Sequence, residues 1–381
     1  MFTQNLAAAT GGREIVALHP PDQAAPYPLE VHHRIRRDER ADYAHTARAL
    51  DRCADVVSIQ YADGIWGGED GDHVLDFVRA LRVPAIATLH SIPGDPTPSQ
   101  RAILAELVAA TAATVVMSRS AKALLAGAYG IDPLRVAIIP HGVPNLPLVD
   151  PETMKPTLGL AGREIILGFG LLRPGKGYEL VLDALPEVVA AHPTALFVIV
   201  GMTHPSLLPS EGETYRQRLQ AQARALGMEG HVQFVDRFVG RVELIRWLEA
   251  ADVFVTPYRD LDQVVSGTLA YALAAGRAIV STPFAAAGEL LADGRGMLVP
   301  AGSAKGLATA VNDLLGDRPL RASIGRLAHE HSREMAWPAV GVAYRRLFDE
   351  VTTNARPVPL VTLAQGRFAT GAAQRLVDPR P

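Results

Sequence analysis

The stretch IILGFGLLRPGKGYELVLDAL, residues 165–185, has the form of a strand, a glycine-rich loop and a helix. Its first residues are apolar or glycine without alternation, which is typical of a strand that is covered on both faces. The loop carries Arg173 and Lys176 among its glycines, and the helix is expected to begin near Tyr178. A strand that is followed, after a short loop, by a helix indicates an α/β protein with a parallel sheet.

The same alternation of short apolar strands and Ala-rich helices extends in both directions from this stretch. The predicted strands are Ile15–His19, Val56–Tyr61, Ala85–His90, Thr114–Met117, Val136–Pro140, Ile165–Gly170, Leu196–Gly201, Val232–Val235, Val253–Pro257, Ala278–Thr282 and Met297–Pro300. The expected fold class is therefore α/β, with parallel sheets that carry helices on both faces.

The alternation pauses once, in a proline-rich stretch that ends near Gly162. With 381 residues, of which 48% are hydrophobic, the chain has enough material for two packed domains. We expect an N-terminal domain over 1–145, a linker over 146–162 and a C-terminal domain over 163–353. The polar tail, 354–381, is expected to be disordered or to lie as a strap on the N-terminal domain.

Composition excludes several classes of protein. The net charge of −3 argues against nucleic acid as a partner. The single cysteine, Cys53, cannot form an internal disulfide and fits a reducing compartment. The sequence shows neither a transmembrane run nor a signal peptide within Met1–Arg13, so a cytoplasmic protein is expected. The charged run His32–Arg40 is predicted to be a solvated face, with a peripheral contact to anionic lipid as the alternative.

The loop after the strand 165–170 is a candidate diphosphate site. Glycines such as Gly170 allow close backbone approach, Arg173 offers a planar fork of donors, and Lys176 offers a point charge. The start of the following helix adds backbone N–H groups. The alternative is a solvated basic loop whose glycines serve only the turn.

A second candidate loop follows the strand 253–257. It carries Asp262 and Gln263 and leads into a helix for which Ser266 is a suitable N-cap, so that Gly267 and Thr268 present backbone N–H groups. We expect a second anion site that faces the first. The alternative is an ordinary capped helix.

Histidines supply the remaining candidate residues. His90 ends a strand and can face the cleft between the domains, although a lone histidine is often only a core or surface residue. His141 follows another strand and has the same ambiguity. The histidine spacing and the single cysteine do not fit a zinc site, and Gly177 after Lys176 does not fit a Walker loop.

A set of motifs in fixed order makes the chain resemble a known family. They are IIPHGV (138–143), RPGKG (173–177), VIVG (198–201), VQFVD (232–236), ADVFVTP (251–257) and AAGRAIV (274–280). In this order they resemble the group 1 (family 4) retaining glycosyltransferases of the GT-B fold, over about residues 15–351. The resemblance implies two Rossmann-like domains that face a central cleft.

The resemblance also implies an activity. A nucleotide-sugar donor would bind the C-terminal domain, and a glycan, a lipid-linked molecule or a small molecule would accept a hexosyl group from the N-terminal side. The reaction would proceed with retention and without a metal ion, and no cofactor is expected because the nucleotide sugar is a substrate. Any membrane contact would be peripheral, and an oligomer is left open.

Site residues follow from the same resemblance. Arg173 and Lys176 match the pair that binds the diphosphate, and His90 matches the histidine that approaches the transferred sugar. The loop that leads to Ser266 matches the one that holds sugar and phosphates. The turn matching the base-binding one consists of Val235, Asp236 and Arg237.

The sequence departs from the family pattern in the donor pocket. Where the family carries a Glu-x7-Glu pattern, this chain has Gln263 and Tyr271. The amide of Gln263 can bond a sugar hydroxyl, whereas a phenol cannot accept from both ribose hydroxyls as a carboxylate does. Asp262 is expected to compensate in part, within a divergent donor pocket.

A second departure lies at the start of the chain, where Met1–Ala9 resembles the end of the family's first helix. The first strand and its loop are expected to be absent, which would leave an exposed edge in the N-terminal sheet. We expect either that this domain is less stable than the C-terminal one or that a partner chain or the tail 354–381 completes the edge. The alternatives to a transferase are a non-catalytic nucleotide-sugar-binding or scaffolding relative, and a phosphorylase or epimerase on the same fold.

Overall fold

The computed structural model describes residues 2–12, 14–20, 27 and 29–353. Its strands are β1 (Ile15–His19), β2 (Val31–Arg36), β3 (Val57–Tyr61), β4 (Ala85–Leu89), β5 (Ala113–Val116), β6 (Val136–Ile138), β7 (Glu164–Phe169), β8 (Ala195–Val200), β9 (Val232–Val235), β10 (Val253–Thr256), β11 (Ala278–Ser281) and β12 (Met297–Leu298).

The helices lie between the strands. They are α1 (Phe2–Thr10), α2 (Arg40–Leu50), α3 (His73–Ala80), α4 (Pro98–Ala110), α5 (Arg119–Tyr129), α6 (Pro151–Met154), α7 (Tyr178–Ala191), α8 (Leu208–Glu211), α9 (Thr214–Ala225), α10 (Arg241–Ala250), α11 (Gly267–Ala274), α12 (Ala285–Leu290), α13 (Ala304–Gly316), α14 (Arg318–Ser332) and α15 (Trp337–Thr353). Within the described residues, none of these helices has both the length and the apolar character needed to cross a bilayer.

The strands form parallel sheets, which confirms the α/β class. The C-terminal sheet has six strands in the order β12-β11-β10-β7-β8-β9. The N-terminal part has a four-stranded sheet, β3-β4-β5-β6, and a separate parallel pair, β1-β2. Strand β7 is central in the C-terminal sheet, so the loop that follows it opens at the middle of the carboxyl edge, where open α/β sheets bind ligands.

Strand β2 is not among the strands that the sequence predicts. Strand β2 covers most of the run His32–Arg40, which we predicted to be only a solvated face. Ile35 is buried in the core, whereas His32, Arg34 and Arg36 point outward. The charged residues are solvated as expected, but they occupy the outer face of a strand whose other face packs on the core.

The last helix does not follow the predicted domain boundary. The predicted boundaries assign α15 to the C-terminal domain. In the structure, α15 instead packs on the N-terminal sheet, and one cluster contains Tyr344, Leu347, Val351, Ile86 and Val115. The hydroxyls of Tyr344 and Thr88 also form a buried hydrogen bond of 2.9 Å. The chain therefore crosses back after the C-terminal domain, because the apolar face of α15 covers the first sheet.

The N-terminal sheet is interrupted at the place where the sequence predicts an exposed edge. Within the described residues, β1 pairs only with β2, and β3 pairs only with β4. Val16 and Leu18 of β1 nevertheless pack against the same core as Ile59 of β3. Each of these two strands therefore has a free edge of backbone groups. The tail 354–381, expected to complete the edge, lies outside the described residues.

We predict that amides of β1 and β3 exchange hydrogen faster than amides of β7 and β8, which are paired on both sides. Unpaired edges open locally at a lower free-energy cost than the centre of a sheet. Hydrogen exchange of the full chain, measured by mass spectrometry at several protein concentrations, tests this. Equal protection at the lowest concentration would contradict the open edge, and protection that rises with concentration would indicate completion by a second chain.

Candidate active site

The two domains meet directly at the carboxyl edges of their sheets. The Ser118 hydroxyl donates to the Val264 carbonyl at 2.9 Å, and the Glu289 carboxylate accepts from the backbone N–H groups of Arg119 and Ser120. A Cβ atom added to Gly94 would lie 2.7 Å from Oδ2 of Asp262. These contacts join the loop that carries Asp262 to the segment after β4, which begins with His90.

The loop after β7 is held by tight backbone packing. Gly177 has a φ of +66°, and a Cβ atom there would lie 2.0 Å from the carbonyl oxygen of Pro257. The backbone N–H of Arg259 donates to the Gly175 carbonyl at 3.1 Å. Only glycine permits both this φ and this approach. The loop that carries Arg173 and Lys176 is therefore fixed against the end of β10.

Lys176 joins the two predicted anion-binding loops. Its Nζ donates to the Tyr258 hydroxyl at 2.7 Å and lies 4.3 Å from the centre of that ring. The Tyr258 hydroxyl bonds Oγ1 of Thr268 at 2.6 Å, and Thr268 in turn bonds Oγ of Ser266 at 3.1 Å. Burial acts to raise the pKa of Tyr258, but the charge and hydrogen bond of Lys176 bring that pKa below its ordinary value.

The start of helix α11 faces the N-terminal domain. Oγ of Ser266 caps the helix by accepting from the Leu269 N–H at 3.2 Å. A Cβ atom on Gly267 would lie 2.9 Å from Nε2 of His141, so the histidine ring packs on the first residue of the helix. Nδ1 of His141 donates to the Gly142 carbonyl at 2.9 Å, which leaves Nε2 as an acceptor toward the positive end of the helix dipole.

His90 lies at the end of β4 on the other side of the cleft. Its Nε2 donates to Oε1 of Gln60 at 2.8 Å, and the Phe2 ring packs edge-on against it with 4.6 Å between centroids. Burial, followed by the charge of His141, lowers the pKa of His90 to about 4. Burial also lowers the pKa of His141 to about 4, so both imidazoles are neutral at neutral pH.

The two positions that depart from the family pattern have different surroundings. The Gln263 amide donates from Nε2 to the Val265 carbonyl at 2.7 Å, which fixes the side chain within its own loop. The Tyr271 ring is buried, with its centroid 6.4 Å from that of His141. Burial raises the pKa of Tyr271, so its hydroxyl stays protonated.

The turn expected to meet the base uses its side chains for ion pairs. Asp236 pairs with Arg216 at 2.5 Å, and Arg237 donates to Glu243 at 2.7 Å. The carbonyl of Val235 accepts from the backbone N–H groups of Gly201 and Arg237, both at 3.0 Å. The side chains of Asp236 and Arg237 are therefore committed within the protein, and a base would meet mainly the backbone of this turn.

Two residues of the site, and a histidine next to the loop after β7, were not singled out in the sequence. Gln60 lies inside a strand, and only the register of β3 with β4 brings it next to His90. Tyr258 lies in the loop just after β10, and His204 lies in the loop after β8. The position after a strand, which marked His90, is also the signal that could have found these two.

A possible metal-binding group lies away from this cleft. Among the residues that the structure describes, the donor atoms of Glu14, His33 and Cys53 lie within 4.8 Å of one another. They gather on the surface near the start of β1, where two of the three side chains are exposed. The expectation that transfer needs no metal ion remains a prediction.

Two family models match separate parts of the chain. Residues 163–317 match the model described as Glycosyl transferases group 1, and residues 11–145 match the model of Glycosyltransferase Family 4. The match over 11–145 covers strands β1–β6, the match over 163–317 covers strands β7–β12, and the two lie on either side of the linker.

Curated relatives match part of their own length. A phosphatidyl-myo-inositol mannosyltransferase from Mycolicibacterium smegmatis is 31% identical over 50% of this chain and 46% of its own. A D-inositol 3-phosphate glycosyltransferase from Kineococcus radiotolerans is 28% identical over 69% of this chain and 66% of its own. The chain thus matches less than two thirds of the length of either relative.

Solved structures share the fold at low identity. HepE from Anabaena, in complex with UDP, aligns with a TM-score of 0.67 at 18% identity over 81% of this chain and 82% of that one. Sucrose-phosphate synthase from Thermosynechococcus elongatus aligns with a TM-score of 0.75 at 16% identity over 92% of each chain. The two-domain GT-B fold is therefore confirmed.

Proposed function

Because the chain belongs to the group 1 (family 4) glycosyltransferases, we propose that it moves a hexosyl group from a nucleotide sugar to an acceptor, with retention. The acceptor is a glycan, a lipid-linked molecule or a small molecule that enters from the N-terminal side. The observation that supports this most directly is the hydrogen-bonded chain from Lys176 through Tyr258 to Thr268, which joins the two predicted anion-binding loops.

The arrangement suits cleavage of a bond between a sugar and a diphosphate. Negative charge develops on the leaving diphosphate, and fixed cations stabilise that charge more in the transition state than in the ground state. Lys176 is already oriented by Tyr258, so little reorganisation is needed when the charge appears. Arg173 adds a planar fork of donors that matches phosphate oxygens.

Neutral histidines suit the sugar end of the same reaction. Positive charge develops on the sugar as the bond breaks, and an imidazolium beside it would oppose that charge. The lowered pKa values of His90 and His141 keep both rings uncharged. We propose that a phosphate oxygen of the donor takes the proton of the acceptor, which places both on the same face of the sugar and gives retention.

A panel of nucleotide sugars tests the proposal. UDP-, GDP- and ADP-linked hexoses are supplied with and without acceptors, and both transfer and donor hydrolysis are measured. The names of the relatives make inositol phosphates and phosphatidylinositol the first acceptors to include. Turnover of one donor supports a transferase. Nucleotide binding without turnover by any donor would favour the non-catalytic relative instead.

We predict that His90→Ala impairs transfer about tenfold while it leaves the affinity for the free nucleoside diphosphate unchanged. His90 belongs to the N-terminal domain and Lys176 to the C-terminal one, so His90 meets the sugar and not the leaving nucleotide. Calorimetry with the nucleotide, beside transfer kinetics, measures the two effects. His45→Ala, an exposed residue on α2 of the same domain, is the control. Equal losses for nucleotide and nucleotide sugar would contradict this assignment.

A further inference from the structure

The loop after β8 is bound along the loop after β7. The Leu172 N–H donates to the Met202 carbonyl and the His204 N–H donates to the Leu172 carbonyl, both at 2.9 Å. Gly201, with a φ of +141°, allows the approach, because a Cβ atom there would lie 2.1 Å from the Gly170 carbonyl oxygen. Arg173 follows Leu172 directly, so His204 is held beside the loop that carries Arg173 and Lys176.

Ion pairs and hydrogen bonds around the buried side chain of Arg216 hold this loop in place. Oγ1 of Thr203 donates to Glu213 at 2.5 Å, and Nε of Arg216 donates to the same carboxylate oxygen at 2.9 Å. Nη2 of Arg216 donates to the Gly201 carbonyl at 3.2 Å and pairs with Asp236. Since Arg216 is only 3% exposed, its hydrogen bond to the Gly201 carbonyl lies inside the protein and fixes the start of the loop before any ligand binds.

The tautomer of His204 is set by its neighbour Ser206. The backbone N–H of Ser206 lies 3.2 Å from Nδ1 of His204, and the Ser206 hydroxyl lies 2.7 Å from the same atom. A backbone amide can only donate, so Nδ1 accepts and the ring proton is on Nε2. No hydrogen bond within the described part of the chain uses this Nε2–H group.

The charges around His204 favour an anionic ligand. Burial, followed by the charges of Arg173 and Lys176, lowers the pKa of His204, so the ring stays neutral at neutral pH. A neutral N–H donor beside two cations adds a hydrogen bond to an anion without adding repulsion between like charges. Phosphate oxygens can accept from several donors at once, which suits such a set.

We infer that Nε2 of His204 donates a hydrogen bond to the β-phosphate of the nucleotide, as a third donor beside Arg173 and Lys176. The inference rests on the proposed function, since it assigns a further contact to the same donor site. Arg216 contributes to this arrangement through the backbone of the loop that carries His204, because its Nη2 donates to the Gly201 carbonyl.

The test compares nucleoside diphosphates with monophosphates. Calorimetry at pH 7.5 first finds which of UDP, GDP and ADP the wild-type protein binds, and then measures that nucleotide and its monophosphate with each variant. We expect His204→Ala to weaken diphosphate binding by about tenfold and monophosphate binding by less than about twofold. His204→Gln, which keeps an N–H donor, should recover most of the loss.

His231→Ala is the matched control. This histidine belongs to the same domain but lies at the other end of the sheet, where its ring donates to the Ala195 carbonyl. Its replacement should leave both affinities unchanged. An equal loss of mono- and diphosphate binding in His204→Ala, or no loss, would overturn the inference while the proposed function stands. If the wild-type protein binds none of the nucleotides, the proposed function fails and the inference fails with it.

Discussion

Replacing Lys176 with alanine should lower kcat/KM for transfer by about 10²–10³-fold, equivalent to about 2.7–4 kcal/mol of transition-state stabilisation. The reason is geometric. Nζ of Lys176 is held by Tyr258 at the junction of the two loops that present hydrogen-bond donors to the cleft. Alanine removes a fixed charge from the position where the leaving diphosphate gains negative charge.

Arg173→Ala should cause a loss of similar size through a different contact. Arg173 is exposed in the cleft loop, with an extended backbone at the start of the turn Pro174–Lys176. The substitution removes the planar set of guanidinium N–H donors and leaves the hydrogen bonds of Tyr258 to Lys176 and Thr268 intact. Arg173→Lys should recover only part of the activity, because lysine restores the charge but not the planar fork.

Transfer kinetics and thermal unfolding of each variant measure these effects separately. Lys305→Ala is the matched control, since Lys305 is exposed on α13 of the same domain and its removal changes the net charge equally. We expect its kcat/KM to equal that of the wild-type protein. Near-wild-type turnover in both Arg173→Ala and Lys176→Ala would rule out the diphosphate assignment.

The sequence predicts best the strands that show an uninterrupted run of apolar residues. Strands such as β7 and β8 are buried on both faces, so their apolar runs are uninterrupted and their limits agree with the structure to within one residue. Strand β2 has one solvated face, and its exposed charges hide the alternation around Ile35. A charged run of this kind indicates a surface, although Ile35 within it is buried in the core.

Contacts between distant segments were harder to predict. The motif loops could be placed after their strands, but the partner of each side chain depends on sheet register and on how the domains meet. Gln60 reaches His90 only because β3 and β4 pair in one particular register. In the same way, the amphipathic pattern of α15 predicts a buried face, but it does not say which of the two sheets that face covers.

A buried lysine in the linker makes another contact between distant segments that the sequence does not predict. The sequence predicts only a connecting segment over 146–162, yet Lys155 is only 1% exposed. Its Nζ lies 2.8 Å from Oδ2 of Asp252 and 2.5 Å from Glu152. The same carboxylate oxygen of Asp252 accepts from the Ile165 N–H at 2.7 Å, so this ion pair ties the linker to the central strand β7.

Lys155→Ala should therefore lower the free energy of unfolding by about 3 kcal/mol, since it leaves the Asp252 carboxylate buried without its main partner. Arg321, 3.4 Å from Oδ1 of Asp252, remains as a weaker partner and keeps the loss at the low end of the range for broken buried pairs. Urea unfolding, followed by circular dichroism, measures the change.

Two further variants show whether the buried charge is the cause. Glu152→Gln should cost less than about 1 kcal/mol, because the Glu152 side chain is 53% exposed and its pairing is screened by water. The double variant Lys155→Met with Asp252→Asn should recover part of the stability, since the amide that replaces the carboxylate carries no charge and its oxygen can still accept from the Ile165 N–H. If Lys155→Ala and Glu152→Gln unfold at the same urea concentration, the buried pair does not anchor the linker. A loss in Lys155→Ala that the double variant partly reverses would instead identify the unpaired carboxylate as its source.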